Sequence, residues 1–191
     1  MAESKIGLTS QLFNHESDEL KLIQIVRENP RAFGELYKRY VEKVFRYLYS
    51  RIGNVQEAED VTAQTFLSAY ESFHTFRQDG LFASWLFMIA RNKAMDHFRQ
   101  RNQFSVFEET QTISPEDDVL TKVIQTERIN ALSELIQALS EDERELLRLR
   151  FLAELSFREI AHFLHRKEDT VKKSVYRLLA RLHSQLEVSN E

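Results

Sequence analysis

Three times in this chain a small polar residue is followed three positions later by Glu: Asn54 with Glu57, Ser140 with Glu143, and Ser156 with Glu159. Each pair stands at the start of a run with helical apolar spacing. The polar side chain can accept from the free N–H groups of a first helical turn, and the Glu can reach back to the cap. Apolar residues then recur at intervals of three and four, as in Phe33, Leu36, Tyr37, Tyr40, Val44, Tyr47 and Leu48. Only 4 glycines and 2 prolines supply turn chemistry, too few for a sheet protein of 191 residues. The expectation is an all-α chain, of a length that allows one domain or two small ones.

In order, a first helix is expected from Asp18 to Glu28, carrying Leu20, Leu22, Ile23, Ile25 and Val26. Asn29-Pro30 restarts the chain, since Pro at a first helical position forfeits no needed hydrogen bond, and Gly53-Asn54 ends the second helix. The next runs from Val55 to about Phe73, with Val61, Phe66, Leu67 and Tyr70 inward. After a loop near His74 to Gly80, another passes through Trp85, Leu86, Ile89 and Ala90 to Arg101. Residues 103–125, with Ser114-Pro115, Glu108, Glu109, Glu116, Asp117 and Asp118, read as a flexible acidic linker. Helical spacing resumes at Ile129, Leu132, Leu135, Ile136 and Leu139. The reading is thus a tail and short helix (1–29), a helical domain (30–102), the linker (103–125), a second helical domain (126–187) and a tail (188–191).

The formal net charge of −4 conceals a division. Ser84 to Gln103 holds Arg91, Lys93, Arg99 and Arg101 against Asp96 alone, and Arg166 to Leu182 holds six cations against Glu168 and Asp169. Two basic stretches with an acidic spacer between them point to nucleic acid despite the overall sign. With no Cys there is no disulfide, thiolate metal site or thiol switch. No apolar run suits a signal peptide or membrane span, so a cytoplasmic location without membrane insertion is expected. No Ser-His-Asp arrangement or phosphate-cradling Gly loop is present, so neither catalysis nor a cofactor is expected.

The segment from Ser156 to Arg181 has the layout of a helix-turn-helix. A short capped helix turns Ile160, Ala161 and Leu164 inward, and a longer one follows with Val171, Val175, Leu178 and Leu182 inward. On a helical wheel Thr170, Lys173, Arg177 and Arg181 then face away from the core, with Lys172 and Tyr176 on one flank. Long cations and short hydroxyls on one face suit phosphates and base edges in a major groove. The turn departs from the usual pattern. His165 stands where Gly is common, and positive φ there costs about 1 kcal/mol. Arg166 occupies a position often apolar.

In the first domain, Glu57 to Tyr70 reads EAEDVTAQTFLSAY, with Asp60, Thr62, Ala63 and Gln64 forming a polar shelf. The next helix, SWLFMIARNKAMDHFRQRNQ, interleaves aromatics with Arg, Lys and Asn, as single-stranded nucleic acid requires for stacking and phosphate contact. AFGELYKRY, EAEDVTAQTFLSAY and WLFMIARNKAMDHFR, in that order, resemble region 2 of extracytoplasmic-function RNA polymerase sigma factors. LSEDERELLRLRFLAELSFREIAHFLHRKEDTVKKSVYRLLARL resembles their region 4. The resemblance covers about residues 31 to 185.

This resemblance implies a two-domain promoter-recognition subunit and not an enzyme. Asp60, Thr62, Gln64 and Phe66 would dock on the clamp helices of the polymerase's largest subunit, although Gln64 replaces a frequent acid and Ala63 a frequent Gln. Arg91, Asn92, Lys93, Asp96, His97 and Arg99 would capture the opened minus-ten strand. Thr170, Lys172, Lys173, Tyr176, Arg177 and Arg181 would read the minus-thirty-five duplex. Core RNA polymerase, including its flap region, promoter DNA and an anti-sigma factor are the implied partners.

Two other readings start from the same residues. A conventional helix-turn-helix regulator, with the first bundle as sensor or dimerisation domain, explains the second domain but not the EDVTAQTF shelf. A di-metal helical enzyme would use Glu159, His162 and His165, but needs several such Glu-x-x-His motifs on facing helices.

Overall fold

The computed structural model describes residues 18–77, 81–104 and 132–188, and all regular elements among them are helical. Helix α1 spans residues 18–28. A single 3-10 turn, Pro30–Ala32, opens α2, Phe33–Ile52. Gly53, at φ 79°, ends α2 in the left-handed region, where the absence of a Cβ avoids a clash. Helices α3 (Val55–Ser72) and α4 (Phe82–Phe104) complete the first domain, with a 3-10 turn at Phe73–Thr75 between them. In the second domain, α5 covers residues 132–137, α6 Glu141–Leu147, α7 Phe157–Leu164 and α8 Glu168–Val188. A π-helical turn, Arg148–Leu152, continues α6. The expected linker falls largely on residues 105–131, outside the described residues, as do most of both tails.

All three capping signatures cap their helices, and two of them do so reciprocally. The Asn54 side chain accepts from the Glu57 N–H at 3.1 Å. The boxes at Ser140–Glu143 and Ser156–Glu159 are both reciprocal, hydroxyl to backbone N–H and carboxylate to cap N–H. Each satisfies two donors that a helix start otherwise leaves bare.

The first domain's core is built on Leu36, Val44, Tyr47, Leu48, Leu86 and Phe87, all fully buried. Phe73, Phe76, Phe82 and Trp85 pack as an aromatic group at its end, with Trp85 only half-buried. Several residues expected on apolar faces lie outside instead. Leu20, Ile25, Leu67 and Tyr70 are exposed, because each helix buries a stripe narrower than its apolar content. Among the described residues, no helix is long and apolar enough to cross a membrane.

The two domains do not stand apart. The buried core is continuous from Ile23 through Phe87, Ala90 and Ala94 to Leu149, Leu155, Ile160, Phe163 and Val175. Helix α4 packs on α7, and α2 packs on the π-helical turn. A buried polar group bridges the seam: the Tyr47 hydroxyl donates to one Glu145 oxygen at 2.7 Å, and Arg51 donates to the other at 2.6 Å.

Candidate nucleic-acid interface

The helix-turn-helix is closed by its turn chemistry. His165 adopts φ 52° and ψ 41°, and its N–H donates to His162 while the Arg166 N–H donates to Ala161 at 2.9 Å. This pair of bonds is a Schellman ending, normally made with Gly. The apolar contact that usually accompanies it is replaced by an ion pair, Arg166 to Asp142 at 3.3 Å. A charged residue thus serves the turn by reaching back to α6.

Beyond the turn, Val171, Val175, Leu178 and Leu182 of α8 are buried, as the spacing predicts. Thr170, Lys173, Arg177 and Arg181 form an exposed row on the opposite face, with Lys172 and Tyr176 exposed on its flank. Arg181 is engaged within the domain, donating to Glu143 at 2.7 Å. Its partner's carboxyl is held below the usual range by the Ser140 backbone N–H and by Arg181 itself. The Tyr176 ring lies 5.8 Å from that of Phe157. Thr170, Lys173 and Arg177 therefore remain the row open to a duplex.

On α4, Asn92, Asp96 and Arg99 lie on one exposed face, with Arg99 3.4 Å from Asp96. His97 is half-buried, its Nε2 2.9 Å from Glu57, which also lies 3.6 Å from Arg101. Lys93 is half-buried. Arg91 points to the other domain, its guanidinium 5.7 Å from the centre of the Phe163 ring. The six residues expected to meet one strand are thus divided between a free face and the domain seam.

The shelf on α3 is also divided. Asp60, Ala63 and Gln64 are exposed, and Leu67 beside them is 59% exposed. Thr62 is buried, and its hydroxyl donates to the Ala58 carbonyl at 2.7 Å. Phe66 is buried too, edge-on to Tyr37 at 4.8 Å. Position 62 falls next to Val61 and Thr65 on the packed face, so its polar character does not place it at the surface. The sequence reading missed Leu67 as a surface residue because its type reads as core.

It also missed the seam, whose charged residues give no periodic signal. Lys43 and Arg46 on α2 hold Glu154 at 3.0 and 2.7 Å. Their hydrogen bonds keep its carboxyl below the usual range. Glu154 itself sits at φ 58°, a strained position for a residue with a Cβ. Burial, aided by the Glu145 carboxylate, pushes the Tyr47 phenol far up. Among the described residues no group of three or more His, Cys, Asp or Glu side chains could hold a metal ion. Glu159, the residue a metal reading needs, is engaged on the Ser156 N–H at 2.6 Å.

A helix-turn-helix with an exposed basic row, fused to a bundle bearing a second basic helix, defines an all-helical DNA-binding protein of two domains. The family model for Sigma-70 region 2 matches residues 36–104, and that for Sigma-70, region 4 matches residues 129–182. The ECF RNA polymerase sigma factor BldN of Streptomyces coelicolor is 34% identical over 180 residues, spanning 87% of this chain and 66% of its own length. The ECF RNA polymerase sigma factor SigW of Bacillus subtilis is 28% identical over 178 residues, 87% of this chain and 95% of that protein. Among solved structures, RpoE of Bartonella quintana, in complex with the anti-sigma factor NepR, matches with a TM-score of 0.58 at 25% identity. That match covers 82% of this chain and 97% of that one. CnrH, in complex with the cytosolic domain of CnrY, shares the fold with a TM-score of 0.62 at 24% identity over 88% of this chain and 97% of its own. This chain belongs to the sigma-70 family of RNA polymerase sigma factors, in the extracytoplasmic-function group.

Proposed function

We infer that the protein directs core RNA polymerase to specific promoters and assists their opening, with α8 reading the minus-thirty-five element and α4 capturing the minus-ten strand. The observation that carries this is the exposed row Thr170, Lys173 and Arg177 on a capped helix-turn-helix. Its cations meet phosphates and base edges of a duplex that has not yet opened. Asn92, Asp96 and Arg99 on α4, with Lys93, His97 and Arg91 around them, suit bases that have left the stack. Unstacking costs a few kcal/mol, offset by pocket contacts. No bond is made or broken, so the role is one of recognition and not catalysis.

The docking face for the polymerase clamp helices is Asp60, Gln64 and Leu67 at i, i+4 and i+7 on α3, with Thr62 and Phe66 holding the helix from behind. The second domain contacts the flap region. Each domain alone binds a promoter weakly, and the polymerase supplies the spacing that makes the two bind together. An anti-sigma factor fits this chain, since RpoE of Bartonella quintana is in complex with one. The protein works in the cytoplasm, where core polymerase is found. The test adds the purified chain to sigma-free core polymerase and sequences run-off transcripts from fragmented genomic DNA of its own source. Starts at a small set of sites sharing an upstream motif are expected. No transcripts, with specific duplex binding by the chain alone, would overturn the reading in favour of a conventional regulator.

A further inference from the structure

Three helix starts share one sequence pattern, but one of them is built differently. At Ser140 and Ser156 the Glu three positions on returns its carboxylate to the cap backbone N–H. At Asn54 the cap is the Asn side chain, accepting from the backbone N–H of Glu57. The Glu57 carboxylate turns to α4 instead, where it lies 2.9 Å from His97 Nε2 and 3.6 Å from Arg101.

It meets α4 where that helix has left the core. Ala90 and Ala94 are fully buried, but from Met95 to Arg101 no residue is, and Phe98 leans half-buried on the core. This projecting stretch carries Asp96, His97 and Arg99. A half-exposed ion pair adds little to stability, so the tie matters less for folding than for where the end of α4 lies. A carboxylate can only accept, so His97 donates from Nε2, which fixes both the orientation of the ring and the nitrogen that carries the proton there.

Resting on the sigma-factor reading, we propose that Glu57 is a positioning residue for strand capture, tying the projecting end of α4 to the first turn of α3. Glu57 touches no base in this role; it acts through His97 and Arg101. Because α3 is also the helix that docks on the polymerase, the tie sets the strand-capture face against the frame that polymerase holds. The competing role for Glu57 is plain charge, and the two roles differ in sign. Removing a carboxylate beside a polyanion strengthens binding by Coulomb attraction alone. Losing the position of His97 and its neighbours weakens it.

The test uses holoenzyme in which core polymerase is saturated with the full chain. Two probes come from a start site found by run-off sequencing. One is a fork, duplex through the minus-thirty-five element and single-stranded across minus-ten; the other is a duplex that ends upstream of minus-ten. Glu57→Ala should weaken fork binding by about tenfold, within the weight of one base contact, and leave the duplex probe unchanged. The cap survives this change, because Asn54 accepts from a backbone N–H. Glu57→Gln has the same length and can still accept from His97, so it should lose less, in the same direction. Fork binding that is unchanged or tighter in both variants would overturn the proposal. So would an equal loss on both probes, which marks a general structural defect. A further arm removes the partners. With His97→Ala and Arg101→Ala in place, Glu57→Ala should have no added effect on the fork, and an added loss there would show that Glu57 does not act through them. The unsubstituted chain separates this idea from the one it rests on. If its holoenzyme binds the fork and the variants match it, the positioning role alone falls; if it does not bind the fork, the sigma reading falls as well.

Discussion

Glu145 and Arg51 meet at 2.6 Å across 94 residues of chain, joining the helix after the first capping box of one domain to the last turn of α2 in the other. Both side chains are largely withdrawn from water, at 7% and 14% exposure, and Arg148 approaches the same carboxylate at 3.5 Å. An ion pair in this setting gives little net stability compared with apolar packing, but breaking it leaves a buried charge without a partner.

Glu145→Ala should therefore lower the unfolding free energy by about 2 kcal/mol. That is below the loss for an isolated buried pair, because Glu141 remains within 2.6 Å of Arg148 and 3.8 Å of Arg51. Tyr47→Phe removes the hydroxyl that donates to Glu145 at 2.7 Å and accepts from Arg51 at 3.2 Å, and should cost about 1 to 2 kcal/mol. The double variant should lose less than the sum, since both act on one carboxylate. Urea unfolding followed by circular dichroism measures all three, and strict additivity would count against the shared network.

Acid should loosen the seam. Hydrogen bonds from Arg46 and Lys43 depress the Glu154 carboxyl below its unfolded value. A group depressed in this way contributes stability that is fully present above the unfolded carboxylate value of about 4.3 and is lost as pH falls through the folded one. Thermal unfolding of the wild type should weaken as pH falls below that range. Glu154→Gln should start less stable at neutral pH and show a flatter slope; parallel pH curves would exclude this role.

Ser156→Ala removes the cap of α7, and a loss of about 1 kcal/mol is expected. Ser140→Ala should lose less, because Ser140 is exposed and water can replace its hydroxyl. Equal losses would show that exposure does not set the value of these caps.

Lys173→Ala and Arg177→Ala should each weaken promoter use and lower the slope of log affinity against log salt by roughly one unit for every phosphate left without its cation. Binding by reconstituted holoenzyme at several salt concentrations gives the slope. Unchanged slopes in both variants would place the DNA on another face of α8.

Leu67→Asp places a charge on the proposed docking face of α3 without touching the core. Affinity for core polymerase should fall about tenfold, as for one interface residue of moderate weight, while the melting temperature stays unchanged. Unchanged affinity in a variant that still folds would reverse the assignment.

Much of this protein was legible before any coordinate. Capping pairs and three-four spacing act within one turn of chain, so α2, α3, α7 and α8 could be placed from their own residues, as could the inward set Val171, Val175, Leu178 and Leu182. The basic row on α8 follows from the same wheel. What local rules could not reach is how one helix meets another. Thr62 is polar and buried, Leu67 apolar and exposed, because the packing of α3 against its neighbours selects the stripe that is covered. The meeting of Glu145 with Tyr47 and Arg51 lies further still from sequence. Charged residues far apart carry no periodic mark, and only the closing of α2 and α4 over the second domain removes enough water to make their pairing matter.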